Sequence, residues 1–379
     1  MSVRKRTWTT ARGEIKEAWI VDYVDGDGDR HIETFQAKKD AVARRAQVSV
    51  DVEKGIHTAA SKSKTVAQAA EDWISYVRGE GRERTTIDRY RELVDHILPR
   101  LGNEKLARLT SPRINIFRDD LLKSMSRATA KKVLTALKAI LKDAKRRGNV
   151  AQNVAADVSI TAHGRLKPKL EIGRDIPTRD EIQRIISAAP PGKARTLLIT
   201  AALTGMRASE LRGLRWVDVD LEKRQIQVRQ RADRYRKIGQ PKSAAGTRTI
   251  PFGDMVVNTL REWRLQCPKG PENLVFPTRV GTVDFHQNAV LTIWNPVQVA
   301  AGVIGNGKAK YRPHAFRHFY ASWCINRRAD GGLELPPKTV QARLGHASIV
   351  MTLDRYGHLF PTHDDGNELA AAERALLAT

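Results

Sequence analysis

A chain of 379 residues exceeds what one ordinary hydrophobic core absorbs, so two or three domains are expected. Lys and Arg total 66 against 42 Asp and Glu, a net charge of +24, which favours a polyanionic partner, nucleic acid first among them. Only Cys267 and Cys324 occur, far apart, and no apolar run approaches a membrane span; this argues against a disulfide framework, a metal site, a secretory leader and a membrane protein, and for a reducing bacterial cytoplasm.

The charge is unevenly spread. Residues 1–60 carry net +1, residues 61–173 net +11 and residues 174–379 net +12, so a duplex is expected to be gripped by the later segments. Residues 1–60 read as a small α+β unit. EAWIVDYV and RHIETFQ are rich in strand formers, the turn between them is Asp25-Gly26-Asp27-Gly28-Asp29, and a helical pattern runs from Lys38 to Lys54. The aspartates are not a calcium loop: counted from Asp25, the sixth position is Arg30 and the twelfth Gln36, where an EF-hand needs Gly and Glu.

After a linker-like stretch at 56–64, four helices follow within 64–162. Val66, Ala69, Ala70, Trp73 and Val77 share one helical face. A second helix runs from Thr85-Thr86 to about Leu98, stopping before Pro99. The third begins at Ser111-Pro112, a cap followed by a first-turn proline, and carries Ile116, Phe117 and Leu121. The fourth places Val133, Leu137, Ile140, Leu141 and Ala144 inward and ends at Gly148. Its other faces carry Lys131, Lys132, Lys138, Lys142, Lys145, Arg146 and Arg147 against Asp143 alone, a surplus suited to phosphate contact.

A second linker, 163–177, precedes a third domain at 174–379. It opens on Thr178-Arg179-Asp180-Glu181, the spacing of a capping box, with Ile182, Ile185 and Ile186 on one face. Strands at 225–229 and 247–251 bracket a polar hairpin holding Arg234, Arg236, Lys237 and Lys242, any of which could reach DNA, and helices dominate from Asp254 onward. The fold expected is therefore multidomain and mainly α: a small α+β N-terminal domain, a four-helix domain, and an α-rich domain with a small sheet.

Six residues of this last domain form a chemical set: Arg207 in TGMRASEL, Lys242 in QPKSAAGTRTI, His314 and Arg317 in HAFRH, His346 in LGHAS and Tyr356 in LDRYGH. Guanidinium forks bind phosphate oxygens bidentately, and a phenol attacks phosphorus once its proton is removed. Gly205 reads as a helix stop ahead of Arg207, and Glu210, one turn on, would hold its guanidinium in register. His314 and Arg317, three apart, share a helical face. His314 and His318 have the four-residue spacing of a zinc pair, but metalloprotease helices need Glu directly after the first His, and position 315 is Ala. Ser348 is placed to cap the helix that carries Tyr356.

The order Arg, Lys, His-x-x-Arg, His, Tyr, with LTGMRASELRGLRWVDVD, RPHAFRHFYASW and LGHASIVMTLDRYGH around it, resembles the tyrosine recombinases, in particular phage-type integrases. The resemblance covers 64–379 well and 1–60 loosely. It implies an arm-type DNA-binding domain at 1–60, a core-binding domain at 64–162 and a catalytic domain at 174–379. Arg207, Lys242, His314, Arg317 and His346 would be catalytic, and Tyr356 would be the nucleophile that forms a 3′-phosphotyrosine. One phosphodiester replaces another, so no ATP, metal or other cofactor is implied. The partners implied are double-stranded attachment sites held in a homotetramer, a host DNA-bending protein and an excision factor, with the terminal helix carrying Leu369, Ala372, Ala375 and Leu376 passing to an adjacent protomer. Type IB topoisomerase chemistry and a non-integrative resolvase are the alternatives.

Overall fold

The structure, a computed structural model, describes residues 1–11, 13–24, 28–53, 63–161, 169–241, 243–360 and 365–377. The chain divides into two compact units, Met1–Gly164 and Arg165–Thr379.

The first unit opens with an antiparallel meander of Ser2–Thr9, Ile15–Val24 and Arg30–Phe35, in which Val21 opposes both Val3 and Glu33. Alternation along the central strand sends Val21 and Tyr23 into a small apolar cluster with Ala41 and Val48 of the helix Lys38–Glu53. The first strand is an addition to the two expected. Its sequence, SVRKRTWT, holds three consecutive cations in place of an apolar alternation, and one of them, Arg4, pairs across the sheet with Asp22, which also accepts from Arg30. The turn at 25–29 lies largely outside the described residues, as does the linker at 56–62.

Four helices follow: Val66–Gly79, Arg84–Leu101, Ser111–Ser124 and Arg127–Arg146. Three details differ from expectation. Pro99 does not end the second helix but sits in its last turn, where it withholds one ladder N–H from the Asp95 carbonyl and the helix closes two residues later. The cap of the third helix is Thr110, whose hydroxyl accepts from the Arg113 N–H, while the Ser111 hydroxyl donates to the Val154 carbonyl. Ile116 is exposed; Ile114, Phe117 and Leu121 form the inward stripe, three and four residues apart. That stripe, Trp73, Ile97 and the Val133, Leu137, Ile140, Leu141 face of the long fourth helix make one core.

In the second unit the capping box forms as expected, the Thr178 hydroxyl accepting from Glu181 N–H and the Glu181 carboxylate from Thr178 N–H. The expected linker is ordered in its later part: Gly173 N–H donates to the Ile176 carbonyl, and Ile176 is fully buried. Helices Arg179–Ala188, Lys193–Thr204 and Ala208–Gly213 lead into a three-stranded sheet, Val219–Asp220, Gln225–Val228 and Arg248–Pro251, the last two paired antiparallel with Ile226 opposite Ile250. Helix Asp254–Gln266 packs on Lys193–Thr204, and Trp263 Nε1 donates to the Val275 carbonyl at 2.6 Å. Helices Pro313–Ile325, Pro337–Leu344, Ile349–Tyr356 and Asp365–Leu377 complete the unit. Beside the main core, Tyr320, Cys324, Val340, Leu344 and Tyr356 form a satellite cluster of their own. Among the described residues no helix is long and apolar enough to cross a membrane.

Leu137 lies at the centre of the helical core with no exposed surface. Leu137→Ala is expected to lower the unfolding free energy by about 2–5 kcal/mol, read by urea denaturation followed by circular dichroism. A loss below about 0.5 kcal/mol, the range of surface changes, would contradict its central place.

Candidate active site

The last four carbonyls of a helix lack intrahelical partners and carry the negative end of its dipole. At the end of Pro337–Leu344 three of the carbonyls at this terminus are taken by guanidiniums from three other elements. Arg248 Nε donates to the Arg343 carbonyl at 2.8 Å, Arg317 Nη2 to that of Leu344, and Arg207 Nη2 to that of Gly345 at 3.1 Å. Arg317 Nη1 donates in addition to the Gly205 carbonyl at 2.8 Å, so this side chain is braced between two helix ends. Both ends require glycine. Gly345 has φ 63° and Gly205 φ 62°, and a Cβ would stand 2.8 Å from the Ala245 carbonyl oxygen at the first and 2.3 Å from the Tyr320 ring at the second.

One buried carboxylate balances this charge. Glu210 Oε1 accepts from Arg207 Nη1 at 2.7 Å, Oε2 from the Arg207 N–H at 2.9 Å, and Arg248 reaches both oxygens at 3.1 and 2.8 Å. Burial alone would raise the Glu210 carboxyl, but the Arg248 hydrogen bond and charge, with Arg207 behind them, hold it at about 2. Arg317, almost wholly buried and close to Arg207, is pulled down to about 9, first by desolvation and then by its cationic neighbour. It remains charged at neutral pH.

The imidazoles and the phenol are set by two short helices. Pro313 starts the helix that carries His314, Arg317 and His318, and the Ser348 hydroxyl accepts from Met351 N–H to start the helix that ends at Tyr356. His346 Nδ1 lies 2.9 Å from the Thr352 hydroxyl, and its ring is parallel to that of Tyr356, 6.3 Å away with 8° between planes. Tyr356 is 1% exposed, and its hydroxyl lies 2.7 Å from His318 Nδ1. His318 in turn meets His314 edge-on at 4.7 Å. Burial pushes the phenol up to about 12 against the opposing pull of Arg317, Arg355 and Arg207. Desolvation and the surrounding arginines bring His314 and His346 down to about 4, so both are neutral imidazoles in the free protein.

Residues 177–363 match the phage integrase family model. Relatives along most of the chain are tyrosine recombinases, among them the XerC-like protein of Caldanaerobacter subterraneus subsp. tengcongensis, 25% identical over 355 residues that make up 86% of this chain and 87% of that one. The chain belongs to the tyrosine recombinase family. Its activity class is site-specific DNA recombination. The fold agrees. The integrase of transposon Tn1549, residues 82–397 in complex with circular intermediate DNA, superposes with a TM-score of 0.59 at 22% identity, over 82% of this chain and all of that one. A lambda integrase tetramer bound to a Holliday junction gives 0.58 at 17% identity, over 90% and 95%.

Five of the six residues singled out in this recombinase lie in one unit around the end of helix Pro337–Leu344: Arg207, His314, Arg317, His346 and Tyr356. Lys242 lies outside the described residues, between Pro241 and the turn Ala244–Gly246. Three residues of this cluster lie outside the six. Arg248 reads in the sequence as part of a strand, its one signal being its place in TRTIP beside the hairpin. His318 has the spacing of half a zinc pair; its Nδ1 faces the Tyr356 hydroxyl, and among the described residues no cluster of three or more His, Cys, Asp or Glu could hold a metal. Thr352 was legible only as the residue one turn before Tyr356. His358 sits at the margin, its Nε2 2.8 Å from the Leu170 carbonyl. The cations of Arg127–Arg146 belong to the other unit and are not equivalent to one another. Lys131, Lys132, Lys142 and Lys145 are exposed, whereas Lys138 donates to the Ala156 carbonyl, and Arg146 and Arg147 pair with buried Asp143, Arg146 lying 3.8 Å over Tyr76.

Because Glu210 is held below its unfolded value of 4.5, its contribution to stability is complete above that pH and disappears as pH falls toward 2. Glu210→Gln is therefore expected to cost roughly 3 kcal/mol at neutral pH. In paired urea melts the gap between variant and native protein should close as pH drops from 4.5 toward 2; a gap that stays constant over this range would refute the assignment.

Proposed function

We propose that this recombinase integrates or excises a prophage or other mobile element, cutting and rejoining DNA at attachment sites through a 3′-phosphotyrosine on Tyr356. The observation that carries the reading is the shared anchorage of Arg207 and Arg317 on one helix end, whose Leu344 packs in the apolar cluster of Tyr356 and whose two cations act on its phenol. Two fixed guanidiniums are the group needed where charge develops on the equatorial oxygens of a pentavalent phosphorus, and they cost no reorganisation when it forms. Arg207, a third exposed, keeps N–H groups for the scissile phosphate after serving Glu210 and Gly345. Arg317 acts from its buried position.

In this mechanism Oη of Tyr356 attacks phosphorus, the P–O5′ bond breaks, and its electron pair leaves on O5′. Lys242 protonates O5′ as general acid. One of the imidazoles His314 and His346 takes the phenolic proton; the arriving phosphodiester offsets the arginines that depress them, so their basicity rises when the substrate is bound. Glu210 positions Arg207. The arginines carry the electrostatic load that a metal ion bears in other phosphoryl-transfer enzymes, and no cofactor enters.

The remaining assignments follow the same reading. Residues 1–60 bind arm-type sites and 64–162 the core site, with exposed Lys131, Lys132, Lys142 and Lys145 on phosphates; Lys138 and Arg146, engaged within the protein, contribute less. The enzyme works in the cytoplasm as a homotetramer on two synapsed duplexes, with a host bending protein and an excision factor. Helix Asp365–Leu377, with Leu369 and Leu376 exposed, docks on the adjacent protomer. A chromosomal resolvase is the second reading, favoured by the XerC names of the relatives. Direct repeats bounding the gene and its neighbours, ending at a tRNA gene, distinguish an integrase from a resolvase.

Tyr356→Phe is expected to bind a nicked duplex carrying that core site with near-native affinity and to give no covalent complex on a denaturing gel; a surviving adduct would exclude Tyr356 as nucleophile. Deleting 1–60 is expected to leave cleavage of the short core site within about threefold of native, since the apolar cluster of the first sheet and helix is separate from the core of the four helices. Loss of cleavage would make the first module part of the catalytic machinery.

A further inference from the structure

We propose that His318, outside the six-residue set, is a further catalytic residue that donates a hydrogen bond from Nδ1–H to Oη of Tyr356 and stabilises the phenolate as it attacks. The proposal rests on the reading of Tyr356 as nucleophile.

The geometry decides between two opposite roles. His318 Nδ1 stands 2.7 Å from the Tyr356 hydroxyl, close enough either to accept the phenolic proton or to donate one of its own. The other ring nitrogen settles which. Nε2 faces Arg355 Nη2 at 3.5 Å. A guanidinium has donors and no lone pair, so a nitrogen directed at it presents its own lone pair; an Nε2–H would point one N–H dipole at a cation. In a neutral imidazole the proton then resides on Nδ1, and Nδ1–H is directed at Oη.

The surroundings agree with a donor that does not titrate. His318 is buried against His314 and lies near Arg355 and Arg317, which together with desolvation bring it down to about 3, with only Asp175 opposing. With its proton already on Nδ1, this nitrogen has no lone pair with which to take the phenolic proton. It can lower the cost of ionising that phenol, because a hydrogen bond to an anion is roughly twice as strong as one to a neutral oxygen. The phenolic proton passes to His314 or His346, the Oη–P bond forms, the P–O5′ bond breaks and O5′ is protonated, while the His318 proton stays on Nδ1 throughout. Arg355 is then a positioning residue: it fixes the tautomer and does not touch the reacting atoms.

The tautomer is directly measurable. In protein labelled with ¹⁵N-histidine, long-range proton–nitrogen correlation of the full chain is expected to show the His318 proton on Nδ1, the signal being assigned by its absence from His318→Asn. A proton on Nε2 overturns the proposal. The second measurement is the rate of covalent complex formation on the nicked core site. Asn places an N–H near the position of Nδ1, so His318→Asn should stay within about fivefold of native, whereas His318→Asp and His318→Phe should be slower by about 10–100-fold, the loss of one hydrogen bond to a charged group. Asn as slow as Asp and Phe would make His318 the proton acceptor, and all three near native would remove it from the reaction; either result overturns the proposal. If Phe does not fold, the near-isosteric Asn and Asp decide. A covalent adduct formed by Tyr356→Phe would sink the nucleophile reading instead and leave the tautomer result unchanged.

Discussion

Three guanidiniums share the carbonyl end of one eight-residue helix, and the organisation of the catalytic unit follows from that arrangement. Arg207, Arg248 and Arg317 come from an N-cap, a strand and a helix far apart in sequence, yet each finds an acceptor on consecutive carbonyls of Arg343, Leu344 and Gly345. The helix would otherwise bury these acceptors unsatisfied, and the arginines would otherwise repel one another. Joining them solves both problems. Glu210 completes the arrangement by bridging two of the three, and the left-handed glycines at 205 and 345 let the carbonyls reach their donors.

The same helix end also places Tyr356, the nucleophile of the proposed mechanism. One residue past Gly345 comes His346; a serine-capped helix then carries the chain to Tyr356, with Thr352 tying the helix back to the His346 ring. The phenol is therefore positioned by the same turn that anchors the three guanidiniums. Its burial in a satellite apolar cluster raises the cost of ionisation, and the nearby cations lower it. Neither effect alone suits a nucleophile. A phenol that ionised freely would be open to unwanted chemistry, and one in a purely apolar pocket would not react.

Much of this was legible in the chain. Helix periodicity, the Thr178 capping box, the Gly205 stop and the Ser348 cap are local signals whose meaning does not depend on the rest of the fold, and each appears in the structure. Five chemical residues were legible because the strings around them carry a family pattern. What sequence could not carry was long-range pairing. Nothing local to TRTIP says that Arg248 meets a carbonyl 95 residues away, and nothing in HAFRH distinguishes a histidine facing a tyrosine from one facing a metal. The details in which pattern and structure differ share a cause. Ile116 and Ile114 differ by half a helical turn, Thr110 and Ser111 are chemically interchangeable as caps, and only packing chooses between them. Lysines 138, 142 and 145 look alike in sequence, but one is spent on a carbonyl.

The imbalance around Glu210 has a thermodynamic consequence. A single carboxylate serves a nest of three cations, one of them almost wholly buried, so the cluster carries a net positive charge. In the proposed function a phosphodiester is the balancing anion. Occupancy and folding are then linked: duplex bound at this place should tighten the very scaffold that receives it, and the loaded enzyme should resist unfolding better than the empty one.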